Sequence, residues 1–525
     1  MQASGDKNAV SDAAARDAAL AAMAAVPVDA TGIVNFDAGG RVLVLGDDER
    51  AVAFASRLPD GLQARVVIFD PLGAVPTSAD PLAIRARRED FSLEGRLGDF
   101  VGRLDSGGPA EHFDLVADLC RVPWFDDAWP RFGYHAVAPD SPAVDTVVAE
   151  LSAETGQFEK PRYYQYDANL CVRGRSGFTA CNRCVQACPA GAITALAERV
   201  EVDPFLCQGG GVCATVCPGG AMQYAFPTVE GAIARLRRLL ETYRGAGGRD
   251  AVVLVHDAEN PPRPEDLPGN LLPFAVEEVG SVGAEFWLSA VAFGAGTVVL
   301  AESSRLTSSV RNALDVQLAD AVALLQGLGF PPAIGWRDDD SLSGMPVIRP
   351  AAYSGAGDKR EILFLALDHL AGEAADAPPV VGLPATVPLG EIRVDVDRCT
   401  LCVSCATVCP RGAVAAEDER PALLFFESRC VQCGLCEHAC PERAITLNPR
   451  FVTDRDARTR RRVLHEEPPF ECIRCGTPFA TRSSIDRVMA RLDGHRMFGA
   501  EPARRRLQMC GDCRVIDMMS DSGAN

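Results

Sequence analysis

Short unbroken apolar runs punctuate the chain: RVLVLG (41–46), ARVVIFD (64–70), FDLVADL (113–119), AVVLVHD (251–257) and TVVLAE (297–302). Each predicts a strand buried on both faces, because a half-exposed strand would alternate with polar residues. Apolar positions three and four apart predict helices at 47–58, 228–245, 284–296 and 311–329, three of them stopping at Gly. Strands and helices interleave over 31–155 and again over 229–380, so two α/β domains are expected. The first 30 residues are Ala-rich but broken by Asp and Arg, which predicts a surface helix or a frayed tail. DAPPVVGLPATVPLG (376–390) is Pro-rich and reads as a linker.

Between these regions the hydrophobic pattern gives way to cysteine. The chain of 525 residues holds 20 Cys, concentrated in three blocks. The tetrapeptide start Cys-Pro followed by a small and an apolar residue occurs in CPAGAI (188–193), CPGGAM (217–222), CPRGAV (409–414) and CPERAI (440–445). Two copies in each of two blocks is an internal repeat. The expected class is α+β and multidomain: an Ala-rich tail (1–30), a small α/β domain (31–155), a variant Cys-rich module (156–228), a second α/β domain (229–380), a regular Cys-rich module (381–450) and a C-terminal four-cysteine domain (451–525).

Charge narrows the function. Lys plus Arg number 52 against 71 Asp plus Glu, a formal charge of -19 that argues against nucleic-acid binding and suits a partner with a basic docking face. No apolar run is long enough for a membrane span, and the N-terminus lacks the basic start and apolar stretch of a secretory signal. A cytoplasmic location is therefore expected, where thiols stay reduced and dense Cys points to metal, not disulfides.

CTLCVSCATVCP (399–410) and CVQCGLCEHACP (430–441) each read C-x2-C-x2-C-x3-C-P. Three Cys on one tight loop can hold three irons of a cubane, while the fourth points away to the cluster of the other motif. The crossed assignment gives one [4Fe-4S] cluster to Cys399, Cys402, Cys405 and Cys440, and a second to Cys430, Cys433, Cys436 and Cys409. In the first block Cys181, Cys184 and Cys188 keep their places and the leading Cys is displaced to Cys171 across nine residues. Crossing then assigns Cys171, Cys181, Cys184 and Cys217 to a third [4Fe-4S] cluster. CQGGGVCATVCP (207–218) has Gly210 where the pattern has Cys. Cys207, Cys213 and Cys188 are left for a fourth cluster, either [3Fe-4S] or a three-cysteine [4Fe-4S] with an open iron, and Gly210→Cys is expected to restore the regular form. Cys472, Cys475, Cys510 and Cys513 form two C-x2-C knuckles 34 residues apart, the layout of a zinc ribbon, with a fifth iron–sulfur cluster as the alternative. Cys120 reads as a buried inert thiol. No dinucleotide fingerprint, P-loop or nucleophile elbow is present.

The blocks 166–224 and 393–448 resemble bacterial two-cluster ferredoxins. With GQFEKPRYYQYDANLC (156–171) and PPFECIRCGTPFATR (468–482), the order also resembles a family of large multi-cluster ferredoxin-like proteobacterial proteins often associated with formate dehydrogenase. Residues 251–330 more faintly resemble the iron–sulfur delta subunit of methanogen hydrogenase–heterodisulfide reductase complexes, without that subunit's Cys. The resemblances imply an iron–sulfur electron-transfer protein with redox partners, a formate dehydrogenase or similar reductase among them. The competing readings are an oxidoreductase subunit working at the incomplete cluster or at a flavin, and a maturation factor for such an oxidoreductase.

Overall fold

In a computed structural model the described residues are 11–28, 31–69, 83–104, 109–175, 177–417 and 420–522. The first α/β domain is built on five parallel strands in the order Ala83–Ala86, Gln63–Phe69, Arg41–Gly46, Leu115–Leu119, Tyr134–Ala136. Alternate side chains serve opposite faces. Val42, Val44, Val66 and Ile68 pack with Phe54 and with Val147 and Leu151 of the helix Val144–Ala153. Leu43, Leu45, Val67 and Phe69 pack on Phe91, Phe100 and Phe113 of a three-stranded antiparallel meander. The run 113–119, expected as one strand, divides at Asp114. Its carboxylate accepts from the Arg41 backbone N–H and from the Arg41 side chain, both at 2.8 Å, and the chain passes from meander to parallel sheet there. The expected helix 47–58 is confined to Arg50–Ala55, and Asp70, expected to close a strand, lies outside the described residues.

The second α/β domain has four parallel strands in the order Leu271–Val276, Val252–Asp257, Thr297–Leu300, Ile334–Trp336. The helices Val229–Gly245, Ala284–Ala292, Ser308–Gly327 and Lys359–Glu373 cover it and share its core. Part of the Ala-rich N-terminus is not a frayed tail. Asp12–Ala24 is a helix whose Ala15, Ala19 and Met23, four apart, enter this same core, and Arg16 Nη1 donates to Leu267 O and Pro268 O. The tail expected over residues 1–10 lies outside the described residues.

Three expected boundaries move. Gly156–Pro161 pairs antiparallel with Ile33–Ala38, so the first α/β domain extends past 155. The Pro-rich stretch is not a free linker: Val380–Gly382 pairs with the end of Ile445–Val452 of the second Cys module, while Val381, Val387 and Leu389 enter the core of the second α/β domain. That module also runs beyond 450, because Arg462–Glu466 completes the sheet with Ala422–Phe425 and Val414–Ala416. The C-terminal domain begins at the hairpin Pro469–Glu471 with Pro478–Thr481 and continues through Arg482–Arg491 and Gly511–Ser522. Among the described residues no helix is long and apolar enough to cross a membrane.

Candidate metal centres

None of the twenty cysteines is in a disulfide. In the second Cys module the two motifs share a backbone plan. The residues flanking the second Cys of each are left-handed: Leu401 (φ 51°) and Val403 (φ 54°) around Cys402, Gln432 (φ 52°) and Gly434 (φ 80°) around Cys433. A left-handed β-branched residue such as Val403 is strained by about 1–3 kcal/mol, a cost that persists where the loop is curled for a purpose. Each third Cys sits in a single helical turn, Ser404–Thr407 or Leu435–His438, and each fourth Cys follows one capping residue after that turn. The fourth sulfur accepts an amide N–H from the residue just before the next strand: Ala413 N to Cys409 Sγ at 3.2 Å, Ala444 N to Cys440 Sγ at 3.3 Å.

These turns place the sulfurs in two groups. One small hollow is lined by Cys399, Cys402, Cys405 and Cys440, another by Cys409, Cys430, Cys433 and Cys436. Each group takes three Cys from one motif and the fourth from the other. In the first module Cys184 has Cys217, Cys181 and Cys171 as neighbouring charges, while those nearest Cys213 are Cys207 and Cys188. The loop from Cys171 to Cys181 carries a hairpin of Gly174–Arg175 with Phe178–Thr179, whose second strand contacts the turn Leu435–His438 of the other module. Burial pushes three of these thiols well up, Cys184 and Cys405 to about 12 and Cys433 to about 11, with neighbouring sulfurs adding to the rise.

The loop around Gly210 repeats the left-handed pattern, with Gly209 at φ 84° and Gly211 at φ 68°. Gly210 thus stands at the second-Cys place of an otherwise regular loop. It faces a ring that the motif gave no sign of: a Cβ on Gly210 would come within 2.9 Å of Trp129 Cη2. The indole is held from both domains, its Nε1 donating to Arg305 O at 2.9 Å and its face covered by the Arg305 guanidinium at 4.4 Å. Gly209 in turn lies against the Tyr163 ring and Gly211 against Ser281. The three glycines form a seam where both α/β domains close on the first module. Lys160, also unforeseen, donates to Phe205 O and Cys207 O, each at 2.6 Å, and burial brings its ammonium down to about 8.

In the C-terminal domain the sulfurs of Cys472, Cys475, Cys510 and Cys513 all lie within 4.8 Å of one another, and Cys475 Sγ is 3.7 Å from Cys510 Sγ. Four thiolates about 2.3 Å from one tetrahedral ion would be spaced about 3.8 Å apart, so this group fits a single ion. Among the described residues it is the one group of that compactness; the sulfurs of the two modules stand further apart. Burial acts to raise the Cys472 thiol, but amide N–H groups of Cys510, Cys475 and Arg474 outweigh it and bring the thiol down to about 6. Cys120 is buried behind Asp118, and burial holds its thiol far above the ordinary range.

Residues 151–221 match the 4Fe-4S dicluster domain family, and residues 424–446 match the 4Fe-4S binding domain family. The chain is thus an iron–sulfur protein with ferredoxin-type domains. No curated protein matches it.

Proposed function

We propose that this iron–sulfur protein relays single electrons between redox partners through four clusters. Three are [4Fe-4S], held by Cys171, Cys181, Cys184 and Cys217, by Cys399, Cys402, Cys405 and Cys440, and by Cys409, Cys430, Cys433 and Cys436. The fourth is [3Fe-4S] on Cys188, Cys207 and Cys213. The reading is carried by the fourth Cys of each regular motif lying with the three of its neighbour. Ligation, burial and amide donors to sulfur are the means by which the protein sets potentials, within roughly −700 to +450 mV. Trp129 favours the three-iron form, since the indole edge stands where a Cys at 210 would put its side chain and offers no ligand in its place. The same packing argues against a substrate at that corner. The compact C-terminal group is proposed to hold zinc as a structural ion.

The partners proposed are redox proteins with basic docking faces, complementary to the net charge of -19, a formate-dehydrogenase-type reductase among them. A reducing cytoplasm is the proposed setting for a chain with so many cysteines and no disulfide among them.

Anaerobic purification with metal and sulfide analysis tests the whole reading. About 15 iron and one zinc per chain are expected, with four-iron EPR signals on reduction and a three-iron signal on oxidation. A chain with zinc alone would sink the relay. At Gly210 the outcome depends on Trp129. Gly210→Cys alone is expected to keep the three-iron signal or lose that cluster, because the new Cβ meets the indole. Gly210→Cys combined with Trp129→Ala is expected to replace it by a fourth four-iron signal.

A further inference from the structure

Beside the cluster position of Cys409, Cys430, Cys433 and Cys436 lies a cavity of about 430 Å³, open to solvent and within the range of small-ligand sites. Five arginines line it: Arg360, Arg411, Arg429, Arg455 and Arg458. Such a concentration of positive charge is unusual on a chain of net charge -19. Three carboxylates share the wall but are largely engaged. Asp358 and Glu361 form the capping box of the helix Lys359–Glu373, and Asp368 is paired with Arg458 at 2.5 Å. Arg411 reaches Asp358 only at 3.8 Å. Arg360, Arg429 and Arg455 have no carboxylate at ion-pair distance among the described residues.

The site is built, not incidental. Arg360 is 5% exposed, and its guanidinium is fixed by donation to Ser428 O, Pro388 O and Cys430 O at 2.6–2.9 Å. Arg458 is 3% exposed, and its Nε and that of Arg411 are buried without an acceptor. Phe364 lies between Arg360 and Arg458, at 4.9 and 4.5 Å from its ring centroid. Buried guanidinium donors left unpaired are costly unless a counter-charge completes them, and forked N–H groups match phosphate or carboxylate oxygens.

We propose that this cavity binds a small multivalent anion of the phosphate or carboxylate type next to the cluster position of Cys409, Cys430, Cys433 and Cys436. The binding does not depend on the electron-relay reading, but one of its consequences does. Arg411 and Arg429 flank Cys409 and Cys430 in sequence, so the anion and the cluster draw on the same positive charges. Reduction adds a negative charge to the cluster and weakens the anion's hold. By linkage the anion must then favour the oxidised cluster and lower its potential.

Titration calorimetry of the anaerobically purified full chain with inorganic phosphate and with succinate, against sodium chloride at matched ionic strength, tests the binding. Saturable one-site binding is expected, stronger for phosphate if the natural ligand is phosphate-bearing and for succinate if it is a carboxylate. Arg429→Gln and Arg455→Gln, both exposed and outside the core, are each expected to weaken it about tenfold. No saturable binding, or binding indifferent to both variants, overturns the proposal. In an EPR-monitored redox titration, saturating anion is expected to lower one four-iron potential; with every cluster signal present and no potential moved, the placement beside the cluster is overturned. Loss of the cluster signals themselves would count against the relay, while the calorimetry still decides the site.

Discussion

Replacing Cys430 by Ser is expected to empty the cluster it shares with Cys409, Cys433 and Cys436 and to melt the second module, while the first module keeps its iron. The apolar cluster around the sulfurs is slight: Ile392, Leu401, Val414, Leu423, Phe425 and Ile445 are its larger members, and Cys405, Cys430 and Cys436 themselves belong to it. A core of that size rarely supplies more than about 3–5 kcal/mol alone. Ligation of structural metal can contribute on the order of 10 kcal/mol to folding, judged from zinc sites, so the cluster outweighs the apolar contacts. Circular dichroism with iron analysis checks this; a Cys430→Ser module that stays folded without iron would reverse the order of the two terms. Cys409→Ser should empty the same cluster although Cys409 belongs to the other motif, and iron lost instead from the group of Cys399 would refute the crossing.

The pH dependence of the cluster-free protein follows from the same burial. The ordinary thiol value is about 9, and burial raises Cys405 to about 12 and Cys433 to about 11. A thiol whose folded value is raised favours the folded state fully below its unfolded value, and that contribution fades as pH climbs to the folded value. Cluster-free protein should therefore lose stability between about pH 9 and 12. Cluster ligation needs thiolates and releases these protons, so reconstitution should be tighter at pH 8.5 than at about pH 7.

The loop plan of the second module was legible because a doubled C-x2-C-x2-C-x3-C-P run calls for tight turns, and the chain curls left-handed on both sides of Cys402 and Cys433. The apolar runs likewise announced the central strands. What stayed hidden is three-dimensional in origin. Nothing around Trp129 marks it as the ring that would fill the room beside Gly210, since the two are 81 positions apart and meet through domain packing. The Ala-rich start looked like a surface element because Ala15 and Ala19 are too small to advertise a core-facing stripe. The Pro-rich stretch looked like a linker because a three-residue strand such as Val380–Gly382 gains its stability from its pairing partner. The arginine cavity draws on residues from 358 to 459, and no local window contains it.

Arg450→Met is expected to destabilise the second module by about 3–5 kcal/mol, the cost of leaving buried charge without its partner. Arg450 Nη2 lies 2.6 Å from Glu391 and 2.8 Å from Glu427, and its Nε donates to Glu427 at 2.8 Å. Both carboxylates are buried, at 7% and 4% exposure. Arg462 bridges the same two carboxylates at 3.1 and 2.8 Å, and Arg393 reaches Glu391 at 3.6 Å, but both are more exposed and Glu427 would be left to Arg462. The Glu427 hydrogen bond is the foremost cause that keeps the Arg450 guanidinium firmly protonated. This network joins the strands Gly390–Val394, Ile445–Val452 and Arg462–Glu466 to the turn Glu427–Arg429, and Cys430 N donates to Glu427 O at 3.0 Å. Its loosening therefore reaches a cluster ligand directly. Chelator-driven iron loss from Arg450→Met should be faster than from the natural chain and confined to the second module. Replacing Glu391, Glu427, Arg450 and Arg462 together by apolar residues of similar volume should cost less than Arg450→Met alone, because the one charge that then loses a partner, Arg393, is exposed and no buried charge is left unpaired. If the fourfold variant proves the less stable, the network contributes net stability beyond neutralising its own charges.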